Sequence, residues 1–178
     1  ITNHRLTVAH QAIDSGLYET LQFPFSYLAG EQEMELVQKC REKNMGFIAM
    51  KGMAGGLIQD GITAAAWMDT QEGVVPIWGV QRESELDQFL RCIREGAELT
   101  KERLETIEKD REELCGEFCR GCGYCMPCPA GIEINQCARM SLMLRRAPAA
   151  AWLTESWQQK MHQIENCLHC GHCMSKCP

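Results

Sequence analysis

The sequence predicts an α/β region with parallel strands, followed by a predominantly helical region rich in cysteine. Segments with helical periodicity alternate with short strand-like apolar segments as far as about residue 98. Eight of the 12 cysteines lie in two runs between Cys119 and Cys177. These two patterns differ enough to predict two structural regions.

Helices are predicted where apolar residues recur at helical spacing. Leu6, Ala9, Ala12 and Ile13 have this spacing, and Gly16 is a suitable stop. The same reasoning predicts helices over residues 31–44, 62–69 and 83–95. Strands are predicted over residues 20–25, 47–50 and 74–80.

The order αβαβαβα implies right-handed crossovers and a parallel sheet, in either an open doubly wound domain or a (β/α)8 barrel. Periodicity does not choose between them. Three parallel strands leave two open edges, so the complete sheet should need further strands. We expect these strands to be missing from this chain or to be supplied by a partner.

Charge and hydropathy limit the function classes. A net charge of -6 at pH 7 argues against nucleic acid or an anionic membrane surface as a partner. No apolar stretch approaches the length of a membrane span, and we expect a cytoplasmic location. Residues 99–114 are dense in charged side chains and predict an exposed helical linker. The linker joins a first domain, residues 1–98, to the cysteine-rich domain, residues 115–178. In that region a helical stretch from about 134 to 164 is expected to break at Pro148.

The two cysteine runs have the spacing of cluster ligands. The first run contains Cys119, Cys122, Cys125 and Cys128, and the second contains Cys167, Cys170, Cys173 and Cys177. The second run matches the bacterial ferredoxin pattern, in which three cysteines bind one cubane and the fourth, before proline, binds the neighbouring one. The sequence therefore predicts two 4Fe-4S clusters with crossed ligands.

Crossed ligation assigns one ligand of each cluster to the opposite run. The first cluster takes Cys119, Cys122, Cys125 and Cys177, and the second takes Cys167, Cys170, Cys173 and Cys128. The alternative is a pair of structural zinc sites, which His169 and His172 could join. Eight cysteines in two triplets, each followed by a Cys-Pro pair, favour iron-sulfur clusters. The long helical segment between the runs resembles the alpha-helical ferredoxin domain of fumarate reductase iron-sulfur subunits.

A second resemblance concerns the first region. The segments Thr2-Asn3-His4, Leu21 to Phe25, Gly46 to Gly56 and Pro76 to Val80 resemble, in this order, strands five to eight of aldo-keto reductases. Within that family, the chain resembles a bacterial branch whose members carry a C-terminal ferredoxin-type domain. This resemblance implies that residues 1–98 are the C-terminal half of a (β/α)8 (TIM) barrel, which is a partial barrel. An all-α ferredoxin-like iron-sulfur domain is then expected to follow it.

The resemblance also implies a nicotinamide cofactor, NADPH or NADH. Thr2, Asn3 and Gln22 match the residues that hold the nicotinamide carboxamide, and the loop with Lys51, Gly55 and Gly56 lies where the pyrophosphate binds. Many members of the family use Lys and Arg to bind the 2'-phosphate of NADPH, and this chain has other residue types near those positions. The candidate residues for this part of the cofactor site are Gly79, Gln81 and Arg82.

The function implied is that of an NAD(P)H-dependent oxidoreductase that reduces a small-molecule carbonyl by hydride transfer. The family's catalytic tyrosine and its supporting residues belong to the first four strands, so no catalytic residue is assigned in this chain, which we expect to be inactive alone. The alternative is a non-catalytic electron-transfer or docking module that uses the two clusters and a redox protein partner.

Overall fold

The computed structural model describes residues 1–115, 119, 121–146 and 148–177. The chain divides into two compact units, Ile1–Gly116 and Glu117–Pro178. Arg120 and Pro178, which belong to the two cysteine motifs, lie outside the described residues.

The first unit alternates helices and strands in the predicted order. Its elements are α1 (Leu6–Ser15), β1 (Thr20–Pro24), α2 (Glu31–Glu42), β2 (Gly46–Met50), α3 (Gly61–Asp69), β3 (Val74–Pro76), α4 (Glu83–Glu95) and α5 (Lys101–Leu114). The predicted helices and strands up to α4 are confirmed, except that β3 is shorter than expected. Its register with β2 ends at the pair of Pro76 with Ala49, and one further bond follows, from the N–H of Ile77 to the Ala49 carbonyl oxygen at 2.8 Å.

The three strands form one parallel sheet in the order β1-β2-β3. Alternate residues of β1 and β2 are buried, with Leu21 and Phe23 on one strand and Phe47 and Ala49 on the next. Helix α3 is buried on most of its surface, and its first turn is capped by Asp60, whose carboxylate accepts hydrogen bonds from the backbone N–H groups of Ile62 and Thr63.

The prediction of a partial (β/α)8 barrel is wrong. The described residues form a small three-stranded open sheet, and the segment expected as strand five contributes an isolated bridge between Thr2 and Gln22. Alternation of strands and helices is common to open and closed parallel sheets, so this pattern could not distinguish them. Closure requires a continuous ring of tilted, staggered strands, which three strands do not supply.

Helix α5 covers most of the segment predicted as a charged linker. Its residues Ile107 and Leu114 are buried in the first unit, whereas its charged residues are mostly exposed. The hydroxyl of Tyr27 donates a hydrogen bond to the buried carboxylate of Asp110, and Arg111 Nε donates to the Tyr27 carbonyl at 2.6 Å. These contacts fix α5 against the loop that follows β1.

The second unit is built of short helices. They are α6 (Ile134–Cys137), α7 (Met140–Arg146), α8 (Glu155–His162) and α9 (His172–Lys176), with 3-10 turns at Ala149–Ala151 and Gln163–Asn166. Its described residues include no strand. The expected break at Pro148 is confirmed, since a new 3-10 turn begins directly after this residue.

A small core fills the second unit. Ile132, Met140, Leu142 and Met143 are buried, and Arg139 is buried with them. Lys160 of α8 forms an ion pair with Glu133 at 2.6 Å, which holds α8 near the start of α6. Among the helices of the described residues, none has both the length and the apolar character to cross a membrane.

Candidate metal centre

The first cysteine run lies in a series of turns that glycine makes possible. Gly121 and Gly123 have φ angles of 64° and 81°, a region that favours glycine. The N–H of Gly121 points to Cys119 Sγ at 3.4 Å. Backbone N–H groups aimed at sulfur stabilise negative charge on a thiolate, so this turn suits a metal-bound cysteine.

The four cysteines of the first run are half-buried, and all of them are free thiols: Cys119, Cys122, Cys125 and Cys128. Burial raises the pKa of the Cys125 thiol, and the neighbouring thiols of Cys119, Cys122 and Cys173 raise it further. Cys173 belongs to the second run. A thiol of the second run therefore contributes to the electrostatic surroundings of Cys125.

The second cysteine run lies nearer to solvent. Cys167, Cys170 and Cys177 are exposed, and Cys173 at the start of α9 is half-buried. Gly171 has a φ of 72° and precedes α9, so the chain turns sharply between Cys170 and Cys173.

Among the described residues, no group of three or more Cys, His, Asp or Glu side chains is gathered closely enough to hold a metal ion. The chemistry of the donors nevertheless fits iron-sulfur clusters, because eight free cysteines, glycine-containing turns and an N–H directed at sulfur are all present. The assignment of individual cysteines to each cluster stays a prediction.

Two further residues contact the first run, and the sequence analysis did not identify them. Cys119 Sγ lies 3.7 Å from the carbonyl oxygen of Asn135. Arg139, which is 9% exposed, lies directly against Gly121. A single arginine in a helical stretch gives no sequence signal, since most arginines at such positions are solvated.

The residues predicted to bind a nicotinamide cofactor lie near the carboxyl end of the sheet. Thr2 pairs with Gln22, and Gln22 Nε2 lies 3.5 Å from the sulfur of Met50. Asn3 uses its side-chain oxygen to accept hydrogen bonds from the N–H groups of His4, at 2.9 Å, and Arg5, at 2.8 Å. This part of the predicted site is brought together around the end of β2.

The loop after β2 contains most of the remaining candidates. Lys51, Gly55 and Gly56 all have positive φ, at 60°, 68° and 89°. Gly56 lies against the side-chain amide of Gln81, so the loop and the start of α4 are in contact.

The other two candidates lie on the segment that leads into α4. The backbone around Gly79 is open, with no atom within 4 Å of the position that a Cβ would take. The N–H groups of Gln81 and Arg82 donate to Glu85 at 2.7 and 3.2 Å, which fixes the start of α4. The roles of these residues in cofactor binding stay predictions.

Eight thiols in two runs, together with the family match, define the second unit as an iron-sulfur domain. A family model for the 4Fe-4S dicluster domain matches residues 118–178, about a third of the chain. This match favours iron over the zinc alternative. It gives no support to the aldo-keto reductase resemblance of the first region. No curated protein is similar enough to the chain to match it.

Proposed function

We propose that this chain is an electron-transfer module in which the second unit binds two 4Fe-4S clusters. The observation that carries the proposal is the pair of four-cysteine runs within residues matched by the dicluster family. When bound, such clusters accept and donate single electrons. The cysteines hold them, and the backbone around Gly121 directs an N–H toward a ligand sulfur.

The two runs have different tasks in this proposal. The half-buried first run limits the access of water to its ligands, whereas the exposed second run offers a route for exchange with a redox protein partner. Solvent exposure and hydrogen bonds to sulfur are among the factors that set cluster potentials. The two clusters should therefore have different midpoint potentials.

The test compares a ligand cysteine with a cysteine outside the runs. Cys122→Ser should remove one of two redox-active clusters, seen as the loss of one EPR signal after dithionite reduction of the anaerobically reconstituted full chain. Cys137→Ser is the matched control: Cys137 lies in the same unit, with its Sγ 3.9 Å from the carbonyl oxygen of Lys160, and should keep both signals. Equal loss in the two variants, or no reducible cluster in the parent chain, would refute the proposal.

A second candidate function is a part in NAD(P)H-dependent carbonyl reduction, in which residues 1–98 contact the nucleotide. The grouping of Thr2 and Gln22 around Met50, and of Gly56 with Gln81, favours it. Amide and hydroxyl groups suit a nicotinamide carboxamide, and a glycine loop allows backbone N–H groups to approach a pyrophosphate.

Titration calorimetry with NADPH and with NADH tests this candidate. Binding should be weakened by Lys51→Met, which removes a positive charge near the expected phosphates, and should be unaffected by Lys101→Met on the exposed end of α5. Absence of heat with both nucleotides would leave the electron-transfer module as the one proposal.

A further inference from the structure

Arg139 is the one arginine among the described residues of the second unit that is buried. Its Nη2 lies 3.0 Å from the sulfur of Met143. Burial lowers the pKa of the Arg139 guanidinium, while the Cys119 thiol acts in the opposite direction. An arginine stays protonated in proteins at ordinary pH, so the position holds a permanent positive charge.

The guanidinium faces the first cysteine run. A Cβ placed on Gly121 would lie 3.2 Å from Arg139 Cζ and still closer to Nη1, so the arginine occupies the space beside this turn. Gly121 separates Cys119 from Cys122, and both are predicted ligands of the first cluster. A charge at this place acts through a partly buried medium, where screening by water is weak.

We propose that Arg139 sets the reduction potential of the cluster held by the first cysteine run, by placing a buried positive charge beside its thiolate ligands. The inference rests on the proposed function. Reduction by a one-electron donor adds one negative charge to the cluster and its four thiolates, and no bond forms or breaks. Because a nearby cation stabilises the more negative reduced form, Arg139 raises the potential.

An EPR-monitored redox titration of the anaerobically reconstituted full chain, with dithionite as the donor, tests the proposal. Arg139→Gln should shift one of two midpoints to a more negative value, by at least tenfold in the one-electron equilibrium, about 59 mV. The shifted signal should be the one that Cys122→Ser removes. The second midpoint should stay in place.

The matched control is Arg145→Gln, which removes the same charge from an exposed position on α7 and should leave both midpoints unchanged. Arg139→Lys keeps a positive charge and should remain nearer to the parent than Arg139→Gln does. If Arg139→Gln binds no cluster, the midpoint potential of Arg139→Lys is the measurement that tests the proposal.

Three results would overturn the inference. They are unchanged midpoints in fully loaded Arg139→Gln, equal shifts in Arg139→Gln and Arg145→Gln, and loss of the first cluster in both Arg139 variants, which would show a purely structural role. If the parent chain itself holds no cluster, the proposed function fails. A loaded parent with an unshifted Arg139→Gln defeats this inference alone.

Discussion

Replacement of Gly121 by alanine should disturb the first cysteine run through two separate effects. Gly121 has a φ of 64°, which an alanine adopts at a cost of about 1–2 kcal/mol. The added Cβ would also overlap the buried guanidinium of Arg139. Moving a buried charged group from its contacts costs about 1–3 kcal/mol or more. The combined destabilisation is therefore about 2–5 kcal/mol.

Gly131→Ala separates these two effects. Gly131 lies in the same unit with a φ of 73°, and no atom lies within 4 Å of the position of an added Cβ. This variant should lose about 1–2 kcal/mol from backbone strain alone. The difference between the two variants measures the contact with Arg139.

Iron analysis after anaerobic reconstitution provides the assay. Gly121→Ala should lose the first cluster, about half of the iron, whereas Gly131→Ala should keep about eight irons per chain. Urea unfolding of each variant gives the matching free energies. Equal iron in the two variants, or a larger loss in Gly131→Ala, would refute the reasoning.

Three further predictions concern the first unit. Tyr27→Phe removes a donor to the buried Asp110 carboxylate and should lower the free energy of unfolding by about 1–3 kcal/mol in urea titrations, while Tyr18→Phe, at an exposed site, should change nothing measurable. Asp60→Ala removes the N-cap of α3 and should cost about 0.5–2 kcal/mol, seen as a lower urea midpoint; an unchanged midpoint would contradict the capping role. Burial raises the pKa of the Cys40 thiol from 9.0 to about 11, so below pH 9 iodoacetamide should modify it at least about 100-fold more slowly than an ordinary thiol. Because unfolding restores the lower pKa, stability should fall as the pH rises from 9 to 11.

Local elements of the first unit could be predicted because their signals are local. The apolar spacing of Ala9, Ala12 and Ile13 marks the buried face of α1, and all three are buried. Pro76 shows the limit of such signals. The apolar residues beyond it continue a strand pattern, but the pairing with β2 ends after one further bond, from the N–H of Ile77 to the Ala49 carbonyl oxygen.

The arrangement of the strands could not be predicted in the same way. Sheet closure depends on strand number, tilt and stagger, which no short segment encodes. The motif that suggested strand five forms an isolated bridge at Thr2, and the Asn3 side chain accepts hydrogen bonds from the two following N–H groups ahead of α1. Short motifs in the right order therefore coincide with the strands of a small open sheet, but they do not establish a barrel.

In the second unit the iron-sulfur class of the domain could be predicted, whereas the surroundings of the candidate ligands could not. Cysteine spacing is visible in the sequence because consecutive ligands must reach one cluster. Arg139 contacts Gly121 across a separation of 18 positions, through folding of the helical segment between the runs. Such a contact follows from packing, and no periodicity reveals it.

We expect the cysteine-rich unit to bind two cubanes. The most direct measurement is the metal and acid-labile sulfide content of the full chain purified without oxygen, combined with Mössbauer spectroscopy. We expect about eight irons and about eight sulfides per chain, with a spectrum of 4Fe-4S clusters. Stoichiometric zinc, or iron without sulfide, would contradict the account.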